Sequence, residues 1–170
     1  MNTPMVFKPR PSTGWAWVSV IGLLLVGFGA GLAIRFGFGG VFLITILIAL
    51  LIGAGFLLLA VFFPRMRYEI GDTCLSIRYG PILRYTVNLA DIREMRQRDL
   101  TPSMVSSLRF PGLALFGVPY MEVGTVKMCA TASSKGILLI ETGSSKYGIT
   151  PADESAFTGE LRKRMTTPVQ

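Results

Sequence analysis

The chain has 170 residues, a formal charge of +7, two cysteines and no histidine. That length accommodates one membrane anchor and one small domain but not a second domain, and the missing histidine removes the usual neutral-pH general base, the commonest zinc ligand and every histidine triad. Lys8, Arg10 and Arg35 flank apolar stretches, which leaves +4 (14 basic, 10 acidic) on Pro64 to Gln170, scattered without a one-face run, so nucleic acid is not expected as a partner.

Residues 1–14 are polar, carry Lys8 and Arg10 among three prolines and show no periodicity; they read as a disordered cytoplasmic lead-in. Trp15 and Trp17 then mark a membrane interface, where an apolar ring and a polar indole N–H are both accommodated. Trp15 to Ile34 gives 20 residues with Ser19 as the only hydroxyl, about 30 Å as a helix and therefore one hydrocarbon thickness. A cleaved signal peptide is disfavoured, because the run exceeds an h-region and a second apolar run follows almost at once. Arg35 to Gly40 holds three glycines and one charge, the composition of a tight turn, and residues 41–63 supply 23 residues with Thr45 as the only polar side chain.

Two spans so close together predict an antiparallel transmembrane hairpin over residues 15–63, with the lipid bilayer as first partner. Gly27 and Gly31 in one span, and Thr45, Ala49 and Gly53 in the other, form small-residue rows of the kind that let helix backbones approach. Contact within the hairpin is the first reading of these rows and a separate oligomer interface the second. Lys8 and Arg10 precede the first span, Arg65 and Arg67 follow the second, and only Arg35 lies in the turn. The expected protein is thus multi-pass in the inner (plasma) membrane, with N- and C-termini cytoplasmic.

From Pro64 the period changes to two. Strands are expected at Arg67–Ile70, Thr73–Tyr79, Ile82–Asn88 and Arg93–Arg98, with Gly71-Asp72 as the first hairpin turn. Leu100 to Gly124 is irregular, with Pro102, Pro111 and Pro119 against Gly112 and Gly117. Alternation returns at Thr125–Thr131, Gly136–Glu141 and Lys146–Ile149, about seven strands in all. A closing helix follows, with Thr150 as N-cap, Pro151 in the first helical position, and Phe157, Leu161 and Met165 along one side.

Tyr68-Glu69-Ile70-Gly71-Asp72, then Leu75-Ser76-Ile77-Arg78-Tyr79-Gly80, Asn88-Leu89-Ala90-Asp91-Ile92, and the ending from Ile149 through Phe157 to Leu161-Arg162 resemble a membrane-anchored bacterial pleckstrin-homology (PH) domain protein. The resemblance spans about Tyr68 to Arg164. It implies an α+β chain in which residues 64–170 form a PH-like antiparallel β-barrel capped by the C-terminal helix, with no catalytic activity. It does not imply phosphoinositide binding: the turn that is basic in lipid-binding eukaryotic relatives is here Gly71-Asp72, an acid where phosphate needs a base.

No catalytic, cofactor or metal site is expected. Asp91 and Glu94 lie beside Arg93 and Arg96 and read as solvated charge pairs. Ser133-Ser134-Lys135 and Ser144-Ser145-Lys146 sit at hairpin tips and lack the Ser-x-x-Lys spacing. Cys74 and Cys129 lie 55 positions apart without metal-ligand spacing and read as inert thiols rather than a disulfide. The apolar segment Arg109 to Met121 has two readings. It is either barrel core with an irregular connection, or an exposed patch in which Phe110, Leu113, Leu115 and Phe116 touch the bilayer or a partner, with Arg109 near lipid phosphates. The expected function is non-enzymatic: protein binding or self-assembly at the membrane, as a homo-oligomer or within a membrane-protein complex. An accessory subunit of a transporter or envelope complex is the alternative, and a membrane-bound enzyme a distant third.

Overall fold

The computed structural model describes residues 4–40, 42–103 and 109–166. They fall into two compact units: one within residues 13–64, and a domain made of residues 4–12 together with the described residues from 65 to 166.

The first unit is a pair of helices, α1 (Gly14–Phe36) and α2 (Phe42–Phe62). Both are long and apolar enough to cross a membrane. Ser19, the hydroxyl in the first of them, donates within the helix to the Trp15 carbonyl at 2.8 Å. α1 ends where Gly37 adopts φ +74, a left-handed conformation that costs a glycine nothing, and the Gly37 N–H closes on the Ala33 carbonyl at 2.9 Å. The helices bury one narrow seam, Gly14, Val18, Gly22 and Gly29 on α1 and Ile46, Ala49 and Gly53 on α2. Leu23, Leu24, Phe28, Ile44, Leu47 and Leu51 stand exposed, an apolar surface suited to lipid rather than water.

The domain contains two sheets. The first has the order β1-β2-β3-β4, from β1 (Met5–Phe7), β2 (Met66–Ile70), β3 (Cys74–Tyr79) and β4 (Leu83–Asn88). The second has the order β5-β9-β10-β8-β7-β6, from β5 (Ile92–Arg98), β6 (Arg109–Phe110), β7 (Leu113–Tyr120), β8 (Gly124–Ala130), β9 (Ile137–Thr142) and β10 (Lys146–Ile149). A helix, α3 (Glu154–Thr166), ends the described chain. The expected barrel of about seven strands is therefore corrected: the two sheets do not close on each other, and the described residues form ten strands. Nor is the pairing wholly antiparallel. β10 inserts between β9 and β8 and runs parallel to β8, with Tyr147 opposite Lys127.

β1 was not expected at all. Residues 1–14 read as disordered because three prolines interrupt them, yet Met5, Val6 and Phe7 pair with Ile70, Glu69 and Tyr68. The prolines lie outside the paired stretch. Beyond it the Arg10 N–H donates to the Thr150 carbonyl at 2.8 Å, and the Ala152 N–H to the Lys8 carbonyl at 3.0 Å. Phe7 meets Phe157 edge-on at 5.2 Å. The lead-in is thus tied to β2 on one side and to the start of α3 on the other.

β7 was likewise hidden in the irregular stretch. Its alternation fails because Phe116 has φ +64, so that Phe116 and Gly117 are both exposed in sequence. Pro119 survives in the strand because β6 pairs only with Leu113 and Ala114; near Pro119 the neighbour is Ser103, whose N–H donates to the Pro119 carbonyl at 2.9 Å, a bond that needs no proline N–H. At α3, the expected cap shifts: Asp153, not Thr150, accepts from the Ala156 N–H at 2.9 Å, and the helix begins at Glu154. Phe157 and Leu161 are fully buried while Met165 is 36% exposed, so the helix closes over the sheets with its first two turns.

The core side of the first sheet carries Tyr68, Ile70, Leu75, Ile77 and Tyr79, all at 0% exposure. A separate cluster contains Ala114, Val118, Met128, Ile137 and Leu139 with Leu100 and Tyr120. In β9, Ile137, Leu138, Leu139 and Ile140 are all buried, which is why its sequence reads as a continuous apolar run rather than an alternation.

Candidate interaction surfaces

At the centre of the domain β2, the end of β8 and the segment that follows β10 meet on one buried polar chain. The Tyr68 hydroxyl donates to the Cys129 carbonyl at 2.8 Å and accepts from the Thr150 N–H at 3.3 Å. The Thr150 hydroxyl accepts from the Thr131 N–H at 2.8 Å and lies 2.9 Å from the Thr131 hydroxyl. Tyr68 and Thr150 are fully buried and Thr131 nearly so. Burial raises the Tyr68 phenol well above its ordinary value and pushes the Cys129 thiol up to about 12. Neither group ionises near neutral pH, so the arrangement joins strands and offers no activated nucleophile. The network is hidden in the sequence because Thr150, just before Pro151, also has the chemistry of a helix cap. Its available signal was three hydroxyl-bearing residues lying within otherwise apolar, alternating stretches.

The remaining chemical candidates resolve into local contacts. Glu94 pairs with Arg96. Thr142 and Ser145 exchange a reciprocal pair of bonds at 2.8 and 3.0 Å across the β9–β10 turn, and the Ser145 hydroxyl accepts from Lys127 at 3.0 Å. Asp72 takes the Arg164 guanidinium at 3.6 Å, and Arg164 also donates to the Ile70 carbonyl at 2.9 Å. The acid in the first hairpin turn thus docks α3. Cys74 is half-buried and Cys129 buried, both as free thiols. Among the described residues no three potential ligands gather to hold a metal. An open hollow of about 320 Å³ lies between Ala90, Asp91, Arg93, Gly143 and Ser144.

The five residues singled out in the Arg109 to Met121 segment do not form one surface. Leu113 and Leu115 are fully buried in β7. Phe110 and Arg109 are half-buried in β6, and Arg109 donates to the Ser103 carbonyl at 3.0 Å. Phe116, at 37% exposed, is turned outward by its left-handed backbone.

The helix-packing residues divide as sharply. Ala49 and Gly53 face α1. A Cβ on Gly53 would lie 2.8 Å from the Val26 side chain and 3.0 Å from the Gly22 carbonyl. Gly27, Gly31 and Thr45 are exposed instead, and a Cβ on either glycine would meet nothing within 4 Å. The glycines that let α1 approach are Gly22 and Gly29, seven residues apart and so on one face, whereas Gly27 and Gly31 fall on the far side of the helix. That seven-residue spacing was the readable signal.

No characterised protein and no solved structure matches the chain significantly. A family model does: that of the bacterial PH domain matches residues 66–165, the segment running from β2 to the end of α3. The match covers more than half of the sequence and contains both sheets except β1, and the chain accordingly belongs to the bacterial PH domain family.

Proposed function

We propose that this is a non-enzymatic inner-membrane protein whose α1–α2 hairpin crosses the bilayer twice and whose PH domain is a cytoplasmic module for protein binding or self-assembly. The observation that carries the topology is the register of β1 with β2. One strand precedes the two apolar helices and the other follows them, yet they are neighbours in one sheet. A chain that leaves a folded unit and returns to it must cross a membrane an even number of times, and two helices of adequate length connect them. Lys8, Arg10, Arg65 and Arg67 on the domain's side, against Arg35 alone in the turn, favour the cytoplasm for that side. PH domains are generally non-catalytic, and the buried hydroxyl chain at the domain's centre serves cohesion, which fits a binding role.

Single cysteines at Gly37 and Ser144, in a chain with Cys74 replaced by serine, test the topology with a thiol reagent that does not cross membranes. In intact cells the Gly37 site should react, and the Ser144 site only after permeabilisation. Labelling of Ser144 alone in intact cells would overturn the orientation. A second reading, an accessory subunit of a membrane transporter or envelope complex, is favoured by the outward Gly27 and Gly31, which leave α1 open to another helix. Gentle detergent extraction separates the two, giving a homo-oligomer of one species in the first case and a mixed complex in the second.

A further inference from the structure

The outer side of the first sheet carries a row of cations created by strand register. Arg67 on β2 lies opposite Arg78 on β3, and Arg78 opposite Arg84 on β4. Lys8, exposed and next after the inward-packed Phe7, stands one position beyond the pairing of Phe7 with Tyr68, where the same register continued would set it beside Arg67. Like charges directly opposite one another on a sheet are unfavourable, so the row works against the fold unless something neutralises it. The neighbouring row offers one acid, Glu69, whose carboxylate takes Arg67 at 2.8 Å and Arg78 at 3.3 Å. The strands β2, β3 and β4 contain no other acid, and Arg84 is exposed on the edge strand of the sheet.

The row's place along the chain is equally specific. Arg67 follows the last residue of α2 by five positions and Lys8 precedes the first residue of α1 by six, so extended chain of at most about 21 Å separates either cation from an apolar helix. The β3–β4 turn is held at the same end of the sheet, its Gly80 N–H donating to the Arg65 carbonyl at 3.5 Å. Four cations with one carboxylate among them, of which Arg67 and Lys8 lie within that reach of an apolar helix, are complementary to a surface of phosphodiesters.

We infer that the row Lys8, Arg67, Arg78 and Arg84 binds the headgroups of anionic phospholipids in the leaflet bordering the domain. The site lies on the face of the sheet rather than at the Gly71-Asp72 hairpin turn, where the acid is occupied by Arg164. It needs no ring-shaped ligand and recognises phosphate charge. The inference rests on the membrane-crossing reading above.

The full chain in lipid nanodiscs tests it. The probe is modification of arginines by phenylglyoxal, followed residue by residue by mass spectrometry. Discs of phosphatidylcholine are compared with discs containing phosphatidylglycerol. Modification of Arg78 and Arg84 should slow by roughly fivefold in the anionic discs, the effect of about one basic side chain engaged at a charged surface, and high salt should abolish the difference. Arg93, exposed and outside the row, should react alike in both. The anionic lipid should also raise the melting temperature of the wild type but not of Arg78→Gln/Arg84→Gln, which leaves Lys8 and Arg67 in place beside the spans. The single Arg84→Gln change should lose part of the shift if the double variant does not fold.

Equal modification in the two kinds of disc overturns the inference. So does equal protection by inorganic phosphate added to phosphatidylcholine discs, which would assign the row to a free anion, or protection seen only in native membranes with a second protein bound. Failure of the chain to enter discs, or its release from membranes by alkaline carbonate, would instead overturn the membrane-crossing reading and this inference with it.

Discussion

The helical hairpin and the PH domain use glycine to opposite degrees of legibility. In the hairpin, glycines are frequent on every side of α1, and Gly22 and Gly29 touch the neighbouring helix while Gly27 and Gly31 do not. In the domain, Gly148 stands alone within β10 and is surrounded: a Cβ there would lie 2.2 Å from the Met128 sulfur and 3.2 Å from an Ile137 methyl. Where every residue is apolar, composition cannot say which face packs; where residues alternate, an interruption marks the contact. Backbone approach is thus specified by position in one region and by exception in the other.

The largest effect should come from the exception. Gly148→Val forces Met128, itself at 0% exposure, to move within a filled cluster, and such overpacking costs about 3 kcal/mol at the upper end of its usual range. Thermal melting of the full chain in detergent should show the domain destabilised or unfolded while α1 and α2 keep their helical signal. A melt unchanged from wild type would mean that the cluster has slack and that Gly148 is not its close-packed point.

Within the hairpin the matched pair is Gly53→Leu and Gly27→Leu. The first drives a side chain against the Gly22 carbonyl, backbone that cannot step aside, and should cost about 2 kcal/mol. The second adds surface where nothing lies within 4 Å and should fall within about 0.5 kcal/mol of wild type. Crosslinking between cysteines at Val18 and Phe56, compared across the two variants, reads the difference. Equal loss in both would erase the distinction between the two faces.

Much of this was readable from the chain. The presence of two apolar helices, the hairpin turns of β2–β3 and β9–β10, and the membership of the family follow from run length, alternation and a few framework residues. What was not readable depended on distant partners. Met5–Phe7 is too short to announce itself as a strand, and its partner lies some 60 residues away across two helices. β7 is disguised by the left-handed Phe116, which turns two successive residues outward. Thr150 has the chemistry of a cap, but Thr131 and Tyr68 claim it first. The division of the glycines required the rotation of one helix against the other, which uniform hydrophobicity leaves open.

Tyr68→Phe asks whether the domain depends on its buried hydroxyl chain as strongly as on Gly148. Removing the hydroxyl leaves the Cys129 carbonyl and the Thr150 N–H without their partner in a dry interior. The expected cost is about 1–2 kcal/mol, less than for Gly148→Val, because one hydrogen-bonding group is lost and no atoms collide. Equilibrium denaturation with the midpoint lowered and the slope unchanged would match this expectation. Thr150→Val should be similar, and the double variant less than additive, because both changes break the same chain.

The smallest effect concerns a charge at the domain's surface. The Asp153 carboxylate is held below its ordinary value first by the Ala156 N–H and then by the Ser155 hydroxyl. A carboxylate with a depressed folded value stabilises the protein when ionised. That contribution is whole above the ordinary value of 3.8 and is lost as the pH falls below it toward the folded value. Asp153→Asn keeps an amide oxygen able to cap α3 but removes the titration. At neutral pH the variant should therefore melt slightly below wild type, since the negative charge also favours the helix N-terminus. Below that window the two melting curves should converge, while the deficit of Gly148→Val persists at every pH because it is steric. A constant gap between wild type and Asp153→Asn from neutral to acid would show that α3 is capped by the geometry of the oxygen alone and that its charge contributes nothing to closing the domain.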